Sequence, residues 1–254
     1  MKIEGRNAVA ELIKTPKTVD KILVQNGLRD NESRELVKNL RAQGYKVQFV
    51  EKAIMDKETA TNRHQGFIAF VSDYKYCEFE DLLDVASNKE DAFLVIVDGV
   101  EDPRNLGSIV RVSECAGVDG IIIGKHRCAQ VNETVIRVSE GSANHMKISR
   151  VTNINQAVGK LKDAGVWTYA LELGGESIYK TDLKGKIAIV IGGEDSGGNQ
   201  LTRKKCDATV TIPMYGKVNS LNASVACGVA VFVLVALGGR ILGKPFVLPR
   251  FHRL

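Results

Sequence analysis

Apolar residues recur with two different rhythms along this chain. Over the first 75 positions short strands alternate with amphipathic helices. A helix is expected at Asn7–Ile13 and a strand at Lys21–Gln25. DNESRELVKNLRAQG follows as a helix, opened by Asp30 or Asn31, striped with Leu36, Val37 and Leu40, and stopped by Gly44. A strand at Val47–Val50, a helical stretch near Ala53–Thr59 and a strand at Phe67–Val71 complete a small α/β unit. From residue 91 the rhythm changes. AFLVIVDGV is apolar almost without a break, the pattern of a strand buried on both faces of a parallel sheet. Similar runs recur at Gly120–Ile123, Trp167–Leu171, Ile187–Ile191 and Thr209–Pro213. Helical segments fill the intervals, at Leu106–Ala116, Asn132–Val138, Ile154–Ala164, Gln200–Cys206 and Leu221–Leu237. Strands alternating with helices form a parallel sheet with right-handed crossovers. Between the two units YKYCEFEDLLDVASNKED reads as a charged connector. The expected division is a small domain at 1–75, a linker at 76–90, a larger domain at 91–243 and a basic tail at 244–254.

Composition narrows the class without deciding it. With 44% hydrophobic and 26% charged residues, the 254-residue chain is ordinary for a soluble globular protein. Its N-terminus, MKIEGRNAVAELI, is charged from the start and does not suit a signal peptide. Ala223–Leu237 is the one apolar stretch of note, and it falls short of the roughly 18 residues a membrane span requires, so a buried helix is expected and no membrane. The five cysteines form no CxxC pair and the four histidines are scattered, so no metal site is expected and reduced thiols in a cytoplasmic protein are. The net charge of +5 is unevenly placed. Residues 1–75 hold 14 Lys/Arg against 10 Asp/Glu, whereas the remainder is nearly balanced at 21 against 20, with Lys244, Arg250 and Arg253 in the tail. A mildly basic module joined to a neutral one suits a nucleic-acid partner.

Ligands of open α/β sheets bind beyond the carboxyl ends of the strands, and three such ends carry unusual residues. DGVEDPRNLGSIVR follows the first long strand, GGEDSGGN follows Ile191, and YGKVNSLNAS follows Met214. The glycines around Glu194 allow a ligand to approach the backbone, although a tight surface turn would use them equally well. No GxGxxG opens the domain, which removes the main support for a nicotinamide-binding or ordinary Rossmann site. Asn105 can be an N-cap and Arg111 a solvated helical arginine in the second turn. Ser220 or Asn219 can cap the last helix. Capping accounts for one residue of that cluster and not for the whole set.

Taken in order, the three loops resemble the motifs of the SpoU family of RNA ribose 2′-O-methyltransferases. NLGSIVR supplies Asn105, Gly107 and Arg111; IVIGGEDSGGN supplies Gly192, Glu194 and Gly197; IPMYGKVNSLNASVA supplies Pro213, Gly216, Ser220, Asn222 and Ser224. EGRNAVAELI and RHQGFIAFV resemble the family's small RNA-binding domain. The resemblance implies a parallel-sheet α/β-knot (SPOUT-type, trefoil-knotted) methyltransferase domain with a small N-terminal α/β RNA-binding domain, working as a homodimer with S-adenosyl-L-methionine and no metal. It implies catalytic roles for Arg111, Asn105, Glu194, Ser220 and Asn222. Cofactor contacts fall on Leu173, Gly192, Gly193, Ile212, Met214, Leu221 and Ser224, and RNA contacts on Arg6, Asn7, Arg63, His64 and Gln65. Arginine stays protonated, so Arg111 is expected to grip a phosphate and stabilise an incipient alkoxide rather than act as the base. HRCAQVNETVIRVSEGSANHMKISRVTNI resembles most the branch that modifies a guanosine of 23S rRNA. A tRNA target is the alternative, and a non-catalytic RNA-binding or ribosome-assembly protein a further one.

Overall fold

The computed structural model describes residues 2–15, 18–59, 63–72, 74–193, 200–217 and 220–237. Two sheets organise them. The smaller has the order β1-β4-β2-β3, built from β1 (Lys2–Glu4), β2 (Thr18–Gln25), β3 (Val47–Val50) and β4 (Phe67–Ser72). β4 runs antiparallel to both β1 and β2, while β2 and β3 are parallel. Helices α1 (Arg6–Leu12) and α2 (Asn31–Ala42) bury Val9, Leu12 and Leu40 against Ile22, Val24, Phe67 and Ala69. On the opposite face α3 (Lys52–Glu58) seats Met55 against Leu23, Val50 and Ile68. Asp30 caps α2, its carboxylate accepting from the Ser33 N–H, and Gly44 turns the chain out at φ 76°.

The larger sheet is all-parallel, in the order β10-β8-β9-β5-β6-β7. Its strands are β5 (Phe93–Asp98), β6 (Gly120–Gly124), β7 (Ile148–Val151), β8 (Trp167–Ser177), β9 (Ile187–Gly192) and β10 (Ala208–Thr211). Alternate residues of each strand feed two separate cores, which is why the sequence shows unbroken apolar runs. Phe93, Val95 and Val97 join Leu106, Ile109 and Val110 of α5 (Pro103–Cys115), Val135 of α6 (Glu133–Val138) and Ala230, Val231 and Leu234 of α9 (Ala223–Leu237). Leu94 and Ile96 join α4 (Phe79–Asn88) and α7 (Ile154–Asp163), with α8 (Gln200–Lys205) flanking α7. Among the described residues no helix is long and apolar enough to cross a membrane.

Several expectations shift. The charged connector at 76–90 contains α4, opened by a reciprocal capping box between Glu78 and Asp81. Phe79, Leu82 and Ala86 lie one face apart beneath the charges and are buried in the core of the larger domain. Before it, the Tyr74 hydroxyl donates to the Ala143 carbonyl at 2.8 Å and the Tyr76 hydroxyl accepts from Val131 N at 2.8 Å, so the crossing itself is tied down. Strands β1 and β7 were not expected; at three and four residues they are too short to show a period. β8 runs on to Ser177 and β10 stops at Thr211, two residues before the expected Pro213. The tail at 244–254 lies outside the described residues.

Candidate active site

β5 is flanked by β9 on one side and β6 on the other, so the connections after β5 and β9 diverge there and open a crevice at the carboxyl edge. Asp98, the last residue of β5, accepts a 2.6 Å hydrogen bond from the Thr202 hydroxyl of α8, and its carbonyl accepts from Gly193 N at 3.0 Å. A side chain at Gly193 would place its Cβ 2.1 Å from the Gly99 carbonyl oxygen. The loops after β5 and β9 therefore abut backbone to backbone, and Gly193 is demanded by that contact.

Asp102 caps α5, accepting from Arg104 N at 2.9 Å, and Pro103 occupies the first turn. Asn105 is therefore not the cap. Free of that task, its Oδ1 accepts from Nδ2 of Asn222 at 3.0 Å, across 117 positions of sequence. Asn222, not Ser220, caps α9: its Oδ1 accepts from Ser224 N at 3.0 Å, Val225 N at 3.4 Å and the Ser224 hydroxyl at 2.7 Å. Ala223, the first residue of α9, and Asn105 line a common cavity of about 1250 Å³ at the carboxyl edge.

Arg111 lies elsewhere. It sits in the third turn of α5, one turn beyond Gly107, on the face that packs against α6. Gly107 admits that packing, since a Cβ there would come 2.8 Å from Val138. The Arg111 guanidinium pairs with Glu140 at 2.7 Å; the two side chains are 50% and 67% exposed, and Glu140 holds a left-handed φ of 48° just after α6. Within one chain, Arg111 is not brought together with the Asn105–Asn222 pair.

The other candidates separate into groups. Gly192 ends β9 and Leu173 stands half-exposed on β8. Ile212 and Met214 are partly buried beyond β10, Leu221 and Ser224 are partly buried at the start of α9, and Ser220 is exposed. Glu194 lies outside the described residues, as does Asn219. In the small domain, the Arg6 guanidinium is engaged by Asp30 at 3.0 Å and Glu32 at 2.6 Å. Gln65 accepts from Arg6 N at 3.3 Å, and buried His64 meets Asp56 at 3.0 Å and accepts from Gly66 N through Nδ1. Asn7 lies inside α1, whose N-cap is Gly5, and Arg63 is exposed.

Two features escaped the sequence. His126, just beyond β6, lines the carboxyl-edge cavity and packs on Gly44 and edge-on to Tyr45 of the small domain. Burial first, then the neighbouring Lys125, lowers its pKa from the usual histidine value. Asn153 and Asn155, beyond β7, line the same cavity, and the buried Oδ1 of Asn155 has no partner. The strand-end rule points to both places, since His126 follows β6 and the two asparagines follow β7.

The SpoU rRNA Methylase family pattern matches residues 92–232, and the pattern for RNA 2′-O ribose methyltransferase substrate binding matches residues 2–77. A protein of Staphylococcus aureus (strain COL), provisionally described as a TrmH family tRNA/rRNA methyltransferase, is 40% identical over 232 residues, covering 91% of this chain and 93% of that one. The fold is similar to that of the SpoU methyltransferase AviRb from Streptomyces viridochromogenes, solved in complex with AdoMet, with a TM-score of 0.59, 24% identity, and coverage of 96% of this chain and 91% of that one. It is similar as well to the AdoMet-bound rRNA methyltransferase from Sinorhizobium meliloti, with a TM-score of 0.60, 22% identity, and coverage of 95% and 88%. A family pattern spanning more than half the chain, with a relative sharing two residues in five along nine-tenths of both lengths, settles the kinship: the chain belongs to the SpoU rRNA methylase family.

Proposed function

We propose that this chain transfers a methyl group from S-adenosyl-L-methionine to a ribose 2′-hydroxyl of RNA, with a guanosine of 23S rRNA as the target. The observation that carries it is the Asn105–Asn222 hydrogen bond, which joins the first and third motifs at the carboxyl edge of the sheet. The methyl donor fits the residues present. Leu173, Ile212 and Met214 offer apolar wall at the strand ends, and the stretch from Ile212 to Gly216 has no regular structure, leaving main-chain groups to recognise a neutral base. Bound there, the donor supplies a methyl group on a sulfonium centre.

The chain's own residues then have to align a weak nucleophile. Asn105 and Asn222 hold each other across the two loops, and with Ser220 they position the ribose. Arg111 grips the phosphate beside the target and stabilises negative charge growing on the 2′-oxygen. It keeps its own proton, which leaves a phosphate oxygen of the substrate to receive the one released. Glu194 completes the motif set. The knot expected of the family is part of this proposal, supported by the close contacts that Gly193 makes with Gly99 and Gly175 with Thr209. So is the homodimer: α9 leaves Val225, Phe232 and Leu237 at 51%, 40% and 45% exposure on an apolar helix that a second copy would cover. A cytoplasmic location follows from the RNA substrate.

The test is incubation with radiolabelled S-adenosylmethionine and separate 23S rRNA and tRNA pools, followed by mapping of ribose methylation. Label at one 23S guanosine is expected. Label in tRNA alone would move the target to the alternative branch, and no label in any RNA would leave a non-catalytic RNA-binding protein.

A further inference from the structure

Three cavities follow the seam between the two domains. The first, about 1220 Å³, opens between the small sheet and the segment around α6, and includes Lys21, Phe70, Lys75 and Lys147. The second is the carboxyl-edge cavity beside Asn105, about 1250 Å³. The third, about 690 Å³, lies against both and includes Arg41, Lys125 and Arg127. Lys46, just before β3, and Pro103, in the first turn of α5, line all three. The cavities are therefore parts of one trough, with Lys46 at its midpoint and the helix that carries Asn105 and Arg111 at its inner wall.

The charge in this trough is available. Among the described residues Lys46, Lys75, Lys125, Arg127 and Lys147 form no ion pair, and all five are exposed. The opposing carboxylates are partly spent. Asp98 is held by Thr202, and Asp102 caps α5. Asp20 bulges out of β2 into the seam, and burial pushes it up to about 7, which leaves it only part-ionised near neutrality. Glu101 and Glu133 remain as acidic groups on the rim. Aromatic faces interleave with the cations: Lys21 stands 4.5 Å over Phe70, and Arg41 lies 5.0 Å over Phe49, which is 41% exposed. Unpaired cations in a concave track, set among aromatic faces and leading to the proposed reaction centre, match a single RNA strand. By contrast, Arg6, His64 and Gln65 are committed to partners inside the small domain.

We infer that the RNA strand carrying the acceptor ribose runs along this interdomain seam, with Lys46 as the phosphate-binding residue at its midpoint and Lys75 and Lys147 at its outer end. The inference rests on the proposed methyltransfer and adds the path by which the substrate reaches it. Lys46 is a binding residue and takes no part in the chemistry.

The experiment measures methyl transfer to an in vitro transcribed 23S rRNA, with its dependence on salt, for wild type, Lys46→Ala, Lys46→Glu and the double variant Lys75→Ala/Lys147→Ala. Lys184→Glu is the control, placed before β9 at the amino edge of the sheet, far along the strands from the seam. Thermal unfolding and calorimetric uptake of S-adenosylmethionine report on folding and on the donor site. The expected result is a loss of kcat/KM of roughly ten- to a hundredfold for Lys46→Glu, the factor set by one charge-assisted contact. The slope of log kcat/KM against log salt should fall in magnitude by about 0.7 for each cation removed. Donor uptake stays unchanged, and so does Lys184→Glu. The slope keeps the test informative if Lys46→Glu folds poorly, because Lys46→Ala and the double variant carry the same expectation. An active wild type whose seam variants keep its kcat/KM and salt slope overturns the seam and leaves methyltransfer standing. Equal losses in Lys184→Glu overturn it also, since attraction by overall charge would then suffice. A wild type inactive on every RNA removes the reading beneath both.

Discussion

Gly193→Ala tests the backbone contact on which the carboxyl edge is built. The added Cβ would lie 2.1 Å from the Gly99 carbonyl oxygen and 2.7 Å from its carbon, where ordinary contact begins near 3.4 Å. Neither neighbour is the end of a flexible side chain, so one loop must retreat by about 1 Å. The same shift pulls Gly193 N from the Asp98 carbonyl, now at 3.0 Å. Overpacking of this kind costs roughly 1–3 kcal/mol and the lost hydrogen bond about 1 kcal/mol more. For a chain of this length that total lowers Tm by roughly 5–15 °C. Differential scanning fluorimetry reads the shift, and calorimetric titration with S-adenosylmethionine reads the accompanying loss of donor affinity. Gly159→Ala on α7 is the reference, because nothing lies within 4 Å of a Cβ there and the residue stands outside the proposed donor site. A Gly193→Ala protein that melts within about 2 °C of wild type and binds the donor equally well would show that these loops do not abut, and the site built on their contact would fall with them.

Other substitutions probe separate links. Asn222→Ala removes the α9 cap and should cost about 1 kcal/mol in urea unfolding, with a loss of methyltransfer. Asn222→Asp keeps an accepting oxygen for Ser224 and Val225 but loses the Nδ2 donor to Asn105, so stability should hold while activity drops; unchanged activity would remove the pair from the site. Gly159→Ala, in the third position before Lys162 on α7 with open space around its Cβ, should stabilise by about 0.5–1 kcal/mol in the same assay. Asp20 is raised from 3.8 to about 7, chiefly by burial, so the folded state holds its proton more tightly than the unfolded chain does. The stability this confers is complete below about pH 4 and is lost as pH rises through 7. Asp20→Asn should therefore match wild type near pH 3 and exceed it at pH 8 by roughly 1–3 kcal/mol, a figure reduced for the residue's partial exposure. Equal differences at both pH values would contradict the assignment.

How much of this was legible depended on whether a residue's role is local. Five of the six strands of the larger sheet were visible because burial on both faces leaves no room for polar positions, and the parallel alternation followed from them; the four-residue β7 was not. α4 was missed because its eight polar and charged neighbours from Cys77 to Glu90 mask a stripe of Phe79, Leu82 and Ala86 that is clear only once a helix is assumed. Caps were misassigned wherever several competent residues stood in line. Asp102 and Asn222 won over Asn105 and Ser220 through tertiary placement, since capping strength ranks these residue types nearly equally. Arg6, Asn7, Arg63, His64 and Gln65 were expected to touch RNA because they fall in the two N-terminal segments that resemble the family's RNA-binding domain. Arg6, His64 and Gln65 have partners inside the small domain, whereas the unpaired cations of the seam come from segments that no spacing connects.

The two residues of the first motif illustrate what folding adds to a pattern. Asn105 and Arg111 stand six apart on a helix, and at about 100° per residue they point roughly 120° from each other. One motif in sequence therefore serves two supports in space. Asn105 answers to the cap of α9, through Asn222, and Arg111 answers to the turn after α6, through Glu140. An exposed pair such as Arg111–Glu140 contributes little to stability, so under the proposed function a substrate phosphate would replace Glu140 at small cost. The Asn105–Asn222 bond is different in kind, since the same carboxamide also caps a helix and cannot turn away without exposing its first N–H groups. In the proposed methyltransfer the fixed half, Asn105, would set the ribose and the adjustable half, Arg111, would take the phosphate, and α5 is the element that carries both residues.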